Sequence, residues 1–369
     1  MGQGQDVTER APDAAHDPRV DVLSLGRRDL ATALENFVDR PFRVKQIYKA
    51  LHERGLADFD SMTDLSQALR STLHENFRIE NPEIAERHEA SDGTTKYLFR
   101  LDDGATIEAV DIPDGKRRTV CVSSQAGCAL ACQFCVTGFW GAGRNLTAGE
   151  ILAQVRAVEA VPRPETHGLN LVFMGMGEPF LNLENLKTAL MILLERISWR
   201  RITVSTAGVV PGVEAMAGWE RRPQLAISLH APDEERRNQL MPINMRYPLA
   251  DLIPALRAFP LNKGEHITFE YLMLDGFNDS LDDADLLVRL LSGLSAKMNL
   301  IPLNPDPVLD PRLKPSRPEQ VTAFVDRLRG RGLMTTVRKQ RGDDVSAACG
   351  QLRAPDRTPR GFRRSRLSF

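Results

Sequence analysis

Hydrophobic and polar positions recur with different periods in successive stretches of this 369-residue chain. Residues 1–20 carry no periodic apolar positions, so they could not offset the entropy of ordering and read as a disordered tail. From Leu23 to about Leu73 the spacing is helical. Phe42 to Arg54 puts Val44, Ile47, Tyr48 and Leu51 on one face and Arg43, Lys45, Lys49 and Arg54 elsewhere. This predicts an amphipathic helix within a small helical accessory domain, residues 21–84, whose basic face is either solvated or an RNA contact.

Over residues 85–118 the period shortens to two and predicts a small β extension. Tyr97-Leu98-Phe99-Arg100-Leu101 and Thr106 to Ile112 flank Asp102-Asp103-Gly104, a hairpin turn. The alternation sets Glu108 on the face of Val110 and Ile112. Desolvation there would raise its pKa and suit it to accept a proton, whereas the plainer reading is an edge glutamate reaching solvent.

From Thr119 strands and helices alternate. Strands are predicted at Thr119 to Val122, Asn170 to Met174, Ile202 to Ser205, Leu225 to Leu229, Ile267 to Met273, Met298 to Ile301 and Met334 to Val337. Helical patterns lie between them, including Leu183 to Glu195, Leu281 to Leu291 and Pro318 to Leu328, and Thr147-Ala148-Gly149-Glu150 is a capping box. Repeated βα units argue for an α/β fold with a parallel sheet curled into a full or partial barrel, with its chemistry on the loops after the strands.

Composition adds limits. With 48 Lys and Arg against 49 Asp and Glu, the net charge of −1 gives no global field toward nucleic acid, so any RNA surface must be local. One candidate is the basic tail, residues 351–369, with Arg353, Arg357, Arg360, Arg363, Arg364 and Arg366 against Asp356. No apolar run nears the roughly 18 residues of a membrane span and no signal layout opens the chain, so a cytoplasmic protein is expected. Five cysteines are too few for a disulfide framework.

Their placement points to chemistry. Cys128, Cys132 and Cys135 form a C-x3-C-x2-C loop after the first predicted barrel strand, with Cys121 just before it and Cys349 far downstream. Three thiolates on one loop suit three irons of a 4Fe–4S cluster and leave the fourth iron open. A structural zinc site is the rival, but it wants four ligands, and no second cysteine pair with suitable spacing exists. After successive strands come Met174-Gly175-Met176-Gly177-Glu178-Pro179, Ser205-Thr206-Ala207-Gly208, Ser228-Leu229-His230-Ala231-Pro232 and Asn304-Pro305. Polar groups at one end of successive strands suit a ligand lying across a barrel mouth, although each alone is usually a cap or a turn.

The cysteine spacing, with Phe134 before the last cysteine, resembles the radical S-adenosylmethionine superfamily. Over about Arg43 to Leu352 the chain resembles the RlmN family, through Cys121-Val122-Ser123-Ser124-Gln125, Phe173 to Pro179, Ser205 to Pro211, Ser228 to Pro232, Leu240 to Asn244, Phe269-Glu270-Tyr271, Asn299 to Pro305 and Ala347 to Leu352. The resemblance implies a radical-SAM partial (β/α)6 TIM-like barrel over residues 119–350, a 4Fe–4S cluster on Cys128, Cys132 and Cys135, and S-adenosylmethionine contacts at Gly177, Glu178, Ser205, Ser228, Leu229, His230 and Asn304. It also implies methylation at carbon 2 of adenosine in 23S ribosomal RNA (adenosine 2503) and transfer RNA (adenosine 37). In that reading Cys349 carries the methyl group, Cys121 resolves the adduct into a disulfide, and Glu108 accepts the proton. An electron donor such as flavodoxin with its reductase, no membrane and a monomer complete the expectation. Two alternatives stay open: the similar carbon-8 adenosine methylases of antibiotic resistance, and a zinc-stabilised RNA-binding protein without catalysis.

Overall fold

The structure is a computed structural model that describes residues 17–163, 165–339, 341–348 and 350–353. The remainder of the tail read over 1–20, most of the basic tail and Cys349 lie outside the described residues. Part of the stretch read as tail is built into the fold: β1 (Val20–Asp21) pairs in parallel with β2 (Phe77–Arg78). Between them run α1 (Arg27–Leu34), α2 (Pro41–His52) and α3 (Gln67–Asn76). Pro41 opens α2, where its missing N–H costs nothing, and Ser66 caps α3 by accepting from Leu69 N at 3.3 Å. As the pattern predicts, α2 buries Ile47, Tyr48 and Leu51. Two of its basic neighbours are paired within the unit, Lys49 with Glu53 at 3.7 Å and Arg54 with Asp64 at 3.1 Å.

All remaining strands form one ten-stranded sheet. Its antiparallel end is β3 (Glu83–Glu89), β4 (Thr95–Arg100) and β5 (Thr106–Asp114), with β5 pairing antiparallel to β6 (Arg117–Cys121). From β6 onward every pairing is parallel, through β7 (Leu169–Phe173), β8 (Ile202–Thr206), β9 (Gln224–Ser228), β10 (Ile267–Met273), β11 (Ala296–Pro302) and β12 (Met334–Val337). The strand order is sequential and the sheet does not close on itself, which is the partial barrel expected.

The connecting helices are α4 (Ala148–Glu159), α5 (Leu183–Leu193), α6 (Val210–Ala217), α7 (Glu234–Leu240), α8 (Leu249–Ala258), α9 (Leu281–Leu290) and α10 (Pro318–Gly330). The capping box of α4 forms: Glu150 N donates to Thr147 Oγ1 at 3.1 Å and Thr147 N to Glu150 Oε2 at 2.8 Å. Gly149 has a second use. Its N–H donates to Ser24 Oγ at 2.8 Å, and a Cβ there would stand 1.9 Å from Asp21 Oδ2, so only glycine lets the N-terminal segment dock on α4. A buried cluster braces the β extension against the barrel: Asp111 holds Arg118 and Arg163, each at 3.0 Å, and Arg163 reaches Gly93 O and Thr95 Oγ1. No helix among the described residues is long and apolar enough to cross a membrane.

Candidate active site

A cavity opens at the C-terminal ends of the parallel strands. Cys128, Cys132 and Cys135 line it together with Gly177, Glu178, Ser205, Ser228, His230 and Asn304, so segments spread over much of the sequence converge on one space. Leu229 is the exception. Its side chain is fully buried and its carbonyl accepts from Arg237 Nε at 3.1 Å, leaving it behind the cavity wall.

The cysteine loop is held by its backbone: Cys128 N donates to Gly141 O at 2.9 Å and Gln133 N to Leu240 O at 2.9 Å. Phe134 packs edge-on against the His230 ring with centroids 4.6 Å apart, fixing the loop against the end of β9. Burial and then the neighbouring Cys135 push the Cys128 thiol up to about 12, and burial with Cys128 and Cys135 raises Cys132 well above the ordinary thiol range. Thiolates so placed repel one another unless cations lie among them, which fits an iron cluster. No group of three or more His, Cys, Asp or Glu side chains among the described residues is arranged to hold a single metal ion. Thiols that feed separate corners of a cluster need no common point.

Gly177 has φ +97°, and a Cβ there would meet Gln125 atoms at 2.5 to 2.8 Å, so the turn after β7 needs glycine to pass this close. Gln125 Oε1 accepts from Glu178 N at 2.8 Å. The Glu178 carboxylate is already occupied by the protein, accepting from Phe180 N at 3.0 Å, Thr206 Oγ1 at 2.6 Å and Ala207 N at 2.7 Å. It clamps the ends of β7 and β8 at the cavity edge. Burial raises its pKa while these three donors pull it back. His230, at φ +58°, accepts from Leu272 N through Nδ1 at 3.0 Å. Burial and Arg237 lower its pKa to about 3, so the ring is neutral with its proton on Nε2.

Glu108 is buried, as the alternation implied, but not alone. Lys96 Nζ stands 3.1 Å from its Oε1, Arg353 N donates to its Oε2 at 2.8 Å, and burial still raises its pKa above the ordinary range. Cys121 ends β6, buried, opposite Val110 and Val172. The chain on either side of position 349 reaches the same region. Gly350 borders the cavity and its carbonyl accepts from Val136 N at 2.6 Å, Leu352 O accepts from Thr137 Oγ1 at 2.7 Å, and Lys96 Nζ reaches Ser346 O at 3.5 Å.

The sequence reading missed Arg237. Fully buried in α7, it donates to Ala207 O at 2.7 Å, Ser228 O at 3.0 Å and Leu229 O, and to Asn244 Oδ1, joining the ends of β8 and β9. Its setting, Glu-Glu-Arg-Arg-Asn-Gln, looks like a solvated helix. Lys96 and Glu270 were also not singled out as site residues, though both sit in strands whose alternation could have flagged an inward charge.

Comparisons with known proteins agree with this geometry. The family model described as "Radical SAM superfamily" matches residues 122–288, and that described as "Ribosomal RNA large subunit methyltransferase N-terminal domain" matches residues 20–79. A curated protein of Anaeromyxobacter dehalogenans, "Dual-specificity RNA methyltransferase RlmN", is 46% identical over 355 residues, covering 93% of this chain and 94% of its own. This chain belongs to the RlmN family. A second RlmN, from Halorhodospira halophila, is 47% identical over 90% of this chain and 93% of its own. The crystal structure of a radical SAM methyltransferase from Sphaerobacter thermophilus superposes with a TM-score of 0.84 at 42% identity, covering 90% of this chain and 99% of that one. The RlmN-family chain is therefore a radical RNA methyltransferase that depends on S-adenosylmethionine, with a 4Fe–4S cluster as its second cofactor. The non-catalytic zinc alternative falls away.

Proposed function

We propose that this enzyme methylates carbon 2 of adenosine in 23S ribosomal RNA and transfer RNA, with Cys128, Cys132 and Cys135 holding the cluster. Gly177, Glu178, Ser205, Ser228, His230 and Asn304 surround S-adenosylmethionine, while Leu229 stands behind the wall they form. Carbon 2 lies between two ring nitrogens and is too electron-poor to attack a methyl sulfonium, so the methyl group has to be carried and activated by the protein. When bound, the cluster supplies the electron that turns S-adenosylmethionine into a hydrogen-abstracting radical. The Cys349 thiolate takes a methyl group by displacement, loses one hydrogen from it, and bonds carbon 2 through the remaining methylene. Glu108 accepts the proton leaving carbon 2, and the unpaired electron of the adduct would return to the cluster's redox couple; the Cys121 thiolate then attacks the Cys349 sulfur, the bond from that sulfur to the methylene breaks, a proton completes the product methyl, and a Cys121–Cys349 disulfide remains.

One observation carries this reading: Arg353 N donates to Glu108 while Gly350 borders the cavity, so the segment flanking Cys349 runs from the cysteine loop to the buried carboxylate. Reaching carbon 2 requires an unstacked adenosine, and the helical unit 21–84 and the basic tail are the surfaces proposed to hold the surrounding RNA in the cytoplasm. A flavodoxin-type donor would supply the electrons. Incubating the anaerobically purified enzyme with 23S ribosomal RNA and analysing nucleosides by mass spectrometry tests the position. We expect 2-methyladenosine; 8-methyladenosine would overturn the assignment in favour of the carbon-8 family.

A further inference from the structure

The parallel strands β6 to β12 do not close into a full barrel, and a cleft of about 220 Å³ lies in the gap. At several times the roughly 30 Å³ of a water molecule, it has room for more than ordered water. Asp114 of β5 and Thr119 of β6 line one side, and Pro302 of β11 with Arg338, Lys339 and Arg341, which follow β12, line the other. Ile301, Asn304 and Arg338 also line the cofactor cavity, so the two spaces share a wall. Ala347 and Ala348, directly before Cys349, complete the lining. The gap is strapped: Arg341 Nη2 stands 2.6 Å from Asp114 Oδ1 and its Nη1 3.8 Å from Asp92 Oδ2, and Ser91 N donates to Asp344 Oδ2 at 2.9 Å. Asp114, the one carboxylate among the described lining residues, is thus spent on Arg341. Lys339 is exposed and makes no ion pair with a described residue, and the partly buried Arg338 stands between the cleft and Glu270 of the cavity. In a chain of net charge −1 this is a local positive site beside the chemistry.

We propose that this cleft receives a phosphodiester adjoining the target adenosine, with Lys339 and Arg338 as its cationic contacts. The adenosine has to come within bonding distance of the Cys349 sulfur, and Ala348, one residue away, already lines the cleft. A base turned into the cavity brings its own sugar and phosphate to the mouth, where a phosphate leaving water needs cationic donors. Arg338 N donates to Leu300 O at 2.8 Å, which fixes where the chain leaves β12 and so where both side chains begin. A backbone contact positions the strand without reading sequence, which suits an enzyme proposed to act on two unlike RNAs.

The inference rests on the proposed entry of an unstacked adenosine but not on which carbon is methylated, so its failure leaves the carbon-2 assignment standing. Filter binding of anaerobic holoenzyme to an RNA fragment that it methylates tests it, with a neutral methylphosphonate replacing one phosphodiester at a time. Wild type should bind about tenfold or more weaker when a linkage flanking the target adenosine is neutralised, as expected for hydrogen bonds between charged groups. Lys339→Met should weaken the unmodified RNA and shrink the penalty of that neutral linkage to a few-fold, because the two changes remove the same contact. Its iron content should be unchanged. Equal binding by wild type of the unmodified RNA and of the RNAs neutralised at either flanking linkage overturns the proposal, whatever the variant does. So does a Lys339→Met protein that keeps the full penalty.

Discussion

At the scale of single residues, Glu108 and its neighbours make the sharpest commitments. As the proposed base it must be ionised, and burial raises its pKa above the ordinary carboxylate range while Lys96 pulls it back. Product release should therefore accelerate as pH rises through this elevated pKa. Lys96→Met removes the attraction, so the acidic limb of the single-turnover release rate should move to higher pH; an unmoved limb would separate Lys96 from the chemistry. Cys121→Ala should stall the reaction after the base is tethered, leaving a covalent RNA–protein band on a denaturing gel. Normal turnover by that variant would dismiss Cys121 as the resolving thiol.

At the scale of elements, two local devices have measurable weight. Removing the α4 cap with Thr147→Ala should cost about 0.5–2 kcal/mol in chemical denaturation, with the slope unchanged. Gly177→Ala sets a Cβ at 2.5 Å from Gln125 at a positive φ, so it should displace the turn bearing Glu178 and abolish S-adenosylmethionine binding in dialysis; retained binding would contradict the close approach. These devices were legible because each is a local pattern: threonine and glutamate three apart, or glycine directly after a strand. The buried face of α2 was legible from its period. β3, Glu-Ile-Ala-Glu-Arg-His-Glu, was not, since an edge strand pairs through its backbone and leaves charged side chains in solvent. Arg237 was hidden for the opposite reason: its partners are carbonyls of distant strands, and nothing in its own helix announces them.

At the scale of the whole molecule, the sheet does the assembly. Its sequential parallel order brings the turns after β7, β8, β9 and β11 to one rim, which is why residues read separately as turns and caps meet in one cavity. The antiparallel end of the same sheet carries Glu108 and Lys96 on β5 and β4, and the C-terminal segment returns across both ends. The order of elements and the cysteine spacing were written in the sequence. That Glu178 would spend its carboxylate on bracing β8 was not, because it depends on a turn reached only through the folded sheet.

The claim on which the account rests is that the methyl group passes through a protein sulfur and loses a hydrogen before reaching carbon 2. Turnover with S-adenosylmethionine bearing a fully deuterated methyl group measures this directly by mass spectrometry of the product nucleoside. The account predicts a product methyl that keeps two deuterium atoms, with the third in 5′-deoxyadenosine. A product that retains all three would contradict it.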